Sequence, residues 1–405
     1  MNFITSIDVG TTKICVLIGR ILDNQQIEIL GVGKAPSDGL HKGVVIDVSK
    51  TIYSITSAIK EAEIMANITV ESAYIGISGG HIQSRNSHGV VPVKRGLIRK
   101  TDVMHVLAAA QAIPIPEGLQ ILHVLPQYFV IDGQEKVHDP VGMHGIRLEV
   151  QAHIILGAVT SVQNLVKCCE HAGIQVNDII LEQLASADAV LSNDECELGV
   201  AILDIGGGTS DLATYQHGSI RHTMVLPVAG NHFTQDLAIG LRITRNEAER
   251  IKKEYGIAYP AVLESNELIE VEMVQGCDRQ IVQRTDLLRI LQPRAQELLS
   301  LVHEEIITQN LLPFITTGIV LTGGGSLLAG MQESAEQIFD MPVRIGKPQI
   351  LFDLPDTLRS PIYATGYGLL VHVLKKAQKK SLLIAQASLS KRIIEQMKSW
   401  ILDFF

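Results

Sequence analysis

Two aspartates in this 405-residue chain each stand two residues ahead of a glycine turn that also carries hydroxyls. Asp8 precedes Gly10-Thr11-Thr12-Lys13, and Asp204 precedes Gly206-Gly207-Gly208-Thr209-Ser210-Asp211. Glycine turns expose several backbone N–H groups with no side chain in the way, and such concavities bind phosphate oxygens. Thr11, Thr12 and Thr209 can add hydroxyl donors, and Lys13 a positive charge near the β/γ position of a polyphosphate. Asp8 and Asp204, facing each other across a cleft, suit Mg2+, which keeps several waters and takes one or two carboxylates with phosphate. A third turn, Thr322-Gly323-Gly324-Gly325-Ser326, has no acid beside it and suits the ribose or adenine side of a nucleotide. One such turn is an ordinary hairpin. Three, each ending an apolar strand, point to a Mg-nucleotide site.

The elements that must hold these turns are legible around them. Strands are expected at Phe3–Val9, Lys13–Leu22 and Ile27–Ala35, then a helix whose face is Val48, Ile52, Ile55, Ile59 and Ala62, then a strand Ala73–Ser78. From His81 to Ile155 the texture turns rich in Gly, Pro and His, with strand candidates Gln127–Asp132 and Arg147–His153 and a helix Thr101–Ile113 capped by Thr101 or Asp102. This segment reads as an inserted subdomain. At Gly199–Tyr215 the opening pattern returns, followed by a strand Ser219–Val228, so one supersecondary unit occurs twice. Helical patterns dominate from Asn231 to Asn310, and strand Gly318–Leu321 leads into the third turn.

Bulk properties bound the class. Hydrophobic residues make up 46% and charged residues 19% of the chain, as in an ordered globular protein of more than one lobe. The five cysteines, Cys15, Cys168, Cys169, Cys196 and Cys277, lack metal or disulfide spacing and read as thiols of a reducing cytoplasm. The N-terminus lacks the basic region of a signal peptide, and no stretch of about 18 apolar residues predicts a spanning helix. A formal net charge of −9 argues against nucleic acid as a partner. That charge is uneven: Lys375–Phe405 carries +5, leaving −14 for the rest.

The basic end is also amphipathic. On a wheel of about 100° per residue, Leu389, Ile393, Ile394, Met397, Trp400, Ile401, Phe404 and Phe405 share one arc, with Lys391, Arg392, Lys398, Glu395 and Asp403 opposite. Terminal aromatics beside basic residues predict a helix lying in the interface of an anionic membrane, after a tether over 379–388. Core packing is the ordinary alternative for such a helix.

Taken together, these residues resemble the actin-like ATPase superfamily. IDVGTTK is similar to its first phosphate motif and LDIGGGTSDLA to its second. VNDIILEQLASADAVL and PIYATGYGLLVH are similar to its connecting motifs, and LTGGGSLLAG to its adenosine motif. The stretch Asn246–Glu254 resembles the adenine-side helix of the chaperone branch, which implies that Glu249, Lys252 and Lys253 contact base and ribose. Within the superfamily the resemblance is closest to the FtsA family of bacterial cell division. It rests on the insertion after SAYIGISGGHI, the stretch DLLRILQPRAQELLSLVHEEI and the tail; Gln183 departs from the proline expected after Glu182.

The resemblance implies an α/β, duplicated actin-like (ribonuclease-H-like) two-lobe fold with nucleotide in the interlobe cleft, plus a C-terminal amphipathic helix. The implied divisions are a lobe 1 core (1A) of 1–80, 156–198 and 361–378, an inserted subdomain (1C) of 81–155, a lobe 2 core (2A) of 199–230 and 310–360, and a subdomain 2B of 231–309. It implies ATP and Mg2+ binding with slow ATPase at best, Glu182, Gln183 and Asp211 being placed to position water. Implied partners are the C-terminal peptide of FtsZ, with Arg284, Arg289 and Arg294 as candidate contacts, further copies in a filament, and later division proteins such as FtsN. The implied place is the cytoplasmic side of the inner membrane at the septum, as a peripheral protein. Rival readings are a rod-shape or pilus-assembly scaffold and, in the enzyme class, a small-molecule kinase of the same superfamily.

Overall fold

The computed structural model describes residues 3–24, 26–263, 265–273, 279–349 and 356–378, so the expected tether and tail helix lie outside the described residues. The chain opens with the antiparallel strands β1 (Phe3–Val9), β2 (Lys13–Ile21) and β3 (Ile27–Pro36). A short pair, β4 (Leu40–His41) and β5 (Val44–Val45), leads to α1 (Val48–Ala66) and β6 (Ser72–Ile77). Helix α1 begins where the Asp47 carboxylate accepts the Lys50 N–H, an N-cap. It lies directly on β3 because Gly33 has no side chain: a Cβ there would sit 1.9 Å from the Ala58 carbonyl oxygen.

The inserted segment forms its own sheet from β7 (Gln83–Pro92), β8 (Leu119–Ile131), β9 (Gln134–Val137) and β10 (Arg147–Ala158), in the order β7-β10-β8-β9. One face is covered by α2 (Lys100–Ala110), whose Val106 and Ala110 join Phe129, Leu148 and Val150 in a separate small core. The N-cap of α2 is Arg99, not Thr101 or Asp102: Asp102 lies one turn inside, and its carboxylate accepts the Arg99 N–H at 2.8 Å. Strand β8 begins eight residues before the expected Gln127. Pro126 hides the continuation, and the ladder tolerates it because a bulge follows at Gln127.

The chain then returns to the first sheet through α3 (Val159–His171), β11 (Gln175–Leu181) and α4 (Glu182–Val190), and crosses to the second by α5 (Asn193–Leu198). The second sheet is built from β12 (Val200–Ile205), β13 (Ser210–Gln216) and β14 (Ser219–Leu226). Next come α6 (Gly230–Leu241), α7 (Arg245–Tyr255), a hairpin of β15 (Leu268–Glu272) and β16 (Arg279–Gln283), and α8 (Arg284–Thr308). Strand β17 (Ile319–Thr322), helix α9 (Met331–Phe339) and strand β18 (Val343–Ile345) complete it, and residues 364–378 are helical. The β15–β16 hairpin interrupts the helices that, as expected, dominate 231–310; its strands are five residues each, too short to stand out against the flanking helical periodicity.

The first sheet runs β11-β6-β1-β2-β3 and the second β18-β17-β12-β13-β14. In each, three antiparallel strands come first and two parallel ones are added on the other side. The same unit is built twice, as the repeated motif predicts.

Strand β12 is buried at every position, since alternate residues point to opposite faces. Val200 and Ile202 join the core of the first lobe, while Ala201, Leu203 and Ile205 join the core under α6 and α8. Between the sheets α4 crosses the 364–378 helix, and a Cβ on Gly368 would lie 1.9 Å from the Ala185 carbonyl oxygen. Small residues there let the two lobes share one spine. Among the described residues no helix is long and apolar enough to cross a membrane.

Candidate functional site: an interlobe cleft closed by two matching hairpins

A two-residue turn joins β1 to β2, closed by the Gly10 N–H donating to the Lys13 carbonyl at 3.1 Å. The turn between β12 and β13 is its counterpart, with Gly206 N–H donating to Thr209 carbonyl at 2.9 Å. The two turns meet. A Cβ on Gly207 would lie 2.3 Å from Thr12 Cγ2, and one on Gly208 2.3 Å from Thr11 Oγ1. Glycine is required at these positions because the threonines of the other hairpin occupy the space.

Behind the turns lies a cavity of about 680 Å³. It is lined by every expected residue of the first two turns, from Asp8 and Gly10 to Lys13 and from Asp204 to Asp211, save Ser210, and by Glu182, Glu249, Lys252, Lys253 and Gly323–Gly325. Each hairpin carries its acid at the same register, but the residue opposite differs: Cys15 faces Asp8, whereas Asp211 faces Asp204. Burial pushes the Asp8 carboxyl up to about 6, with Lys13 pulling it back and Asp204 pushing it further. Burial likewise raises Asp211 to about 7, against a hydrogen bond from Ser78. Asp204 is raised by burial against bonds from Ser186 and Thr365, and Glu182 is raised well above its ordinary value by burial and the three aspartates. Four acids crowd a space that Lys13, 3.9 Å from Asp8, partly neutralises. Such a site favours a cation. Among the described residues no group of three or more acids, histidines or cysteines could hold a metal ion.

Hydroxyls from the first lobe hold the acids of the second. Ser186 Oγ donates to Asp204 Oδ2 at 2.6 Å, Thr365 Oγ1 donates to the same oxygen at 3.1 Å, and Ser78 donates to Asp211. Thr209 donates to the other Asp211 oxygen at 3.0 Å. Lys13 donates to the Ile362 carbonyl at 2.7 Å, and both Lys13 and Lys34 lie over the Tyr363 ring, at 4.9 and 4.7 Å. Ser78, Ser186, Thr365, Lys34 and Tyr363 were not singled out from the sequence. Ser186, Tyr363 and Thr365 sit within the connecting motifs, where their type is a usable signal; Lys34 carries none.

At the other end, α6 is latched to the second turn by Gly230 N–H to Gly206 carbonyl (3.0 Å) and Asn231 N–H to Gly207 carbonyl (2.8 Å). Lys252 donates to Glu249 (2.6 Å), Thr234 (2.9 Å) and the Gly230 carbonyl (3.1 Å), tying α7 to α6, and Lys253 reaches Glu249 at 3.1 Å. The third turn proves to have an acid beside it in space, since a Cβ on Gly323 would lie 2.2 Å from Asp204 Oδ1. Ser326 braces that turn through Gly323 carbonyl at 2.7 Å and does not line the cavity.

Gln183 also lies outside the lining; its amide turns to the Met224 carbonyl at 3.3 Å, so the position next to Glu182 faces away from the cleft. The three arginines separate. Arg284 lines the cavity, donating to the Tyr255 carbonyl at 3.1 Å, and Arg294 is held by Asp236 at 2.6 Å. Arg289 is solvent-facing, its side chain 79% exposed beside Asp286. Leu389, Ile393, Ile394, Met397, Trp400, Ile401, Phe404 and Phe405 lie outside the described residues.

A protein-family model described as "Cell division protein FtsA" matches residues 201–368, and another, "SHS2 domain inserted in FTSA", matches residues 79–156. The cell division protein FtsA of Pseudomonas aeruginosa is 43% identical over 406 residues, covering 99% of this chain and 97% of that protein. The FtsA of Neisseria meningitidis is 42% identical, with 91% and 89% covered, and that of Escherichia coli K12 is 37% identical, with 99% and 96% covered.

Among solved structures, a PilM–PilN type IV pilus biogenesis complex matches with a TM-score of 0.66 at 16% identity, covering 92% of this chain and 98% of that one. MreB 5 of Spiroplasma citri bound to AMPPNP matches with a TM-score of 0.56 at 16% identity, covering 95% and 99%. The fold these neighbours share is actin-like. With near full-length identity of this order, the chain belongs to the FtsA family of cell-division proteins.

Proposed function

We propose that this chain is an actin-like, ATP-binding scaffold that tethers FtsZ filaments to the cytoplasmic face of the inner membrane at the division septum. The observation that carries the nucleotide reading is the meeting of two matching glycine hairpins over a cavity lined by three buried aspartates and the half-buried Glu182. Backbone N–H groups of both turns, with Thr11, Thr12 and Thr209, would hold phosphate oxygens, and Lys13 would face the terminal phosphates. Mg2+ would supply charge neutralisation between those phosphates and the aspartates. Glu249, Lys252, Lys253 and Gly323–Gly325 would take the base and ribose.

Glu182 and Asp211 are placed to orient water, but burial and mutual repulsion favour their neutral forms, which suits slow turnover. A nucleotide that marks a conformational state needs tight binding and slow loss, with no need of rapid turnover. Family membership places the chain with the division machinery. The finer partners proposed are the C-terminal peptide of FtsZ, docking about 231–309 where Arg289 is free to face it, further copies in a filament, and later division proteins such as FtsN. The tail Leu389–Phe405 would bind anionic lipid peripherally.

Two measurements test this. Equilibrium titration with a fluorescent ATP analogue and Mg2+ should show saturable binding that Asp8→Asn and Asp204→Asn weaken. A pull-down with an FtsZ C-terminal peptide should retain the full chain. Absence of nucleotide binding sinks the first half of the proposal, and absence of peptide binding with and without ATP sinks the second.

A further inference from the structure

The inserted subdomain leaves the first lobe at Ser78 and returns to it through β10, yet its sheet also packs against the second lobe. What it packs on is β14, the outermost strand of the second sheet. An edge strand presents unpaired carbonyl and N–H groups that something must cover.

Here side chains of the insertion do so. Ser84 donates to the Thr223 carbonyl at 2.8 Å, and Gln127 donates to the carbonyls of Ile220 (2.9 Å) and Arg221 (3.1 Å). Both partners are shaped for it. The register of β8 skips Gln127 and that of β14 skips Arg221, so a bulge on one strand aims its amide at a bulge on the other.

The rest of the junction is polar. His153 is 1% exposed. Its Nδ1 lies 2.7 Å from Asn86 Oδ1 and its Nε2 2.9 Å from Thr223 Oγ1. Nδ1–H donating and Nε2 accepting satisfies both contacts. His222 alongside reaches Glu305 of α8 at 2.8 Å, and the Arg221 guanidinium lies 5.7 Å over Tyr128 and 5.6 Å over Phe314. The hydrogen bonds of Ser84, Gln127 and His153 favour one geometry, because a partial slip leaves buried donors and acceptors unpaired.

We propose that the inserted subdomain is a clamp between the lobes: docked on β14, it holds the cleft closed and slows escape of the nucleotide. The strand it grips is paired to β13, with Thr223 opposite Ala213 and Val225 opposite Asp211. Its root at Ser78 bonds Asp211 directly. The clamp is therefore attached on both sides of the acids that close the cleft. Any rotation that parts the two hairpins must either break the β14 docking or carry the insertion along with the second lobe.

The nucleotide part of this proposal rests on the ATP reading above, so the test has two arms on the full chain. Spin labels at Met104→Cys on α2 and Ile239→Cys on α6, whose native side chains are 69% and 66% exposed, report the insertion-to-second-lobe distance, with Cys196 and Cys277 changed to serine. The parent should give one narrow distance distribution, and Gln127→Met and the conservative Ser84→Ala/Thr223→Val pair should broaden it. In the second arm, release of a fluorescent ATP analogue should quicken by about 3- to 10-fold in both variants, the effect of losing a buried hydrogen bond or two. Unchanged distance distributions in variants that retain their circular dichroism overturn the clamp whether or not nucleotide binds. Broadened distributions with release unchanged confine the contact to architecture and overturn its control of the nucleotide. A parent that binds no ATP removes the ATP reading and leaves the clamp to be judged by the distances alone.

Discussion

Gly207→Ala probes the contact between the hairpins with one methyl group. Built on the existing backbone, that methyl lies 2.3 Å from Thr12 Cγ2, 2.5 Å from its Oγ1 and 3.0 Å from its Cβ. Turning the Thr12 side chain about χ1 moves the first two atoms but not the third. Carbon atoms pack best at about 3.5–4.0 Å, so the turns must part by roughly half an ångström to 1 Å even after the threonine rotates. Overpacking of this order costs about 1–3 kcal/mol. If the closed cleft is the nucleotide-binding form, that cost lowers ATP affinity by about 5- to 150-fold. The assay is anisotropy of a fluorescent ATP analogue in four proteins: parent, Gly207→Ala, Thr12→Ala and the double variant. Thr12→Ala removes the two worst contacts but keeps the Cβ one, so the cost of Gly207→Ala, read against the Thr12→Ala single variant, should shrink without vanishing. Full affinity in the single variant, or no recovery in the double, would refute the reasoning; the second result would mean that the methyl fills space the phosphates need.

Stability should also depend on pH through the same acids. The folded protein without a bound cation holds Asp8 at about 6 and Asp211 at about 7, whereas an unfolded Asp loses its proton at about 3.9. These groups thus stabilise the fold fully below about pH 4, and that contribution is lost as pH rises through 6 and 7. Asp211→Asn should show a flatter melting temperature between pH 4 and 7, and an unchanged slope counts against the assignment. Lys252→Met removes three hydrogen bonds between α7 and α6 while Glu249 keeps Lys253 and the Gly230 carbonyl keeps Thr234, and should cost about 1–2 kcal/mol in urea unfolding, a loss under about 0.3 kcal/mol being inconsistent with the bonding described. Deletion of Leu389–Phe405 should leave ATP affinity intact and abolish sedimentation with anionic liposomes; continued sedimentation would sink the tail as a membrane anchor.

Much of the frame was legible because its signals are local. Strand β1 falls at Phe3–Val9 as the apolar run dictates, and α1 begins at Val48 behind an aspartate cap. The repeated Asp-x-Gly pattern announced a repeated hairpin, which the matching strand orders of the two sheets bear out. What stayed hidden depends on partners distant in sequence. Ser78 reaches Asp211 across 133 positions and Thr365 reaches Asp204 across 161; no local pattern marks Ser78, and the motif around Thr365 does not say which acid its hydroxyl meets. Gly323 seemed to lack an acid because its neighbour in space, Asp204, lies on the adjoining strand of the sheet. Arg284, expected as a peptide contact, stands at the first residue of α8 and lines the cleft instead, a placement set by the hairpin that precedes it.

The two hairpins share a register but differ in what they carry opposite the acid. On the first lobe that place holds Cys15, whose thiol burial pushes up to about 11 and so keeps uncharged; on the second it holds Asp211. A duplicated molecule with a nearly two-fold frame is therefore polarised at its clasp, one hairpin bringing a single carboxyl and the other two. That is where two once-interchangeable copies stopped being interchangeable. A chimera built from two first halves would keep the shape of the clasp and lose its direction. It would have no acid for Ser78 to hold, and nothing to tell a ligand which way round to lie.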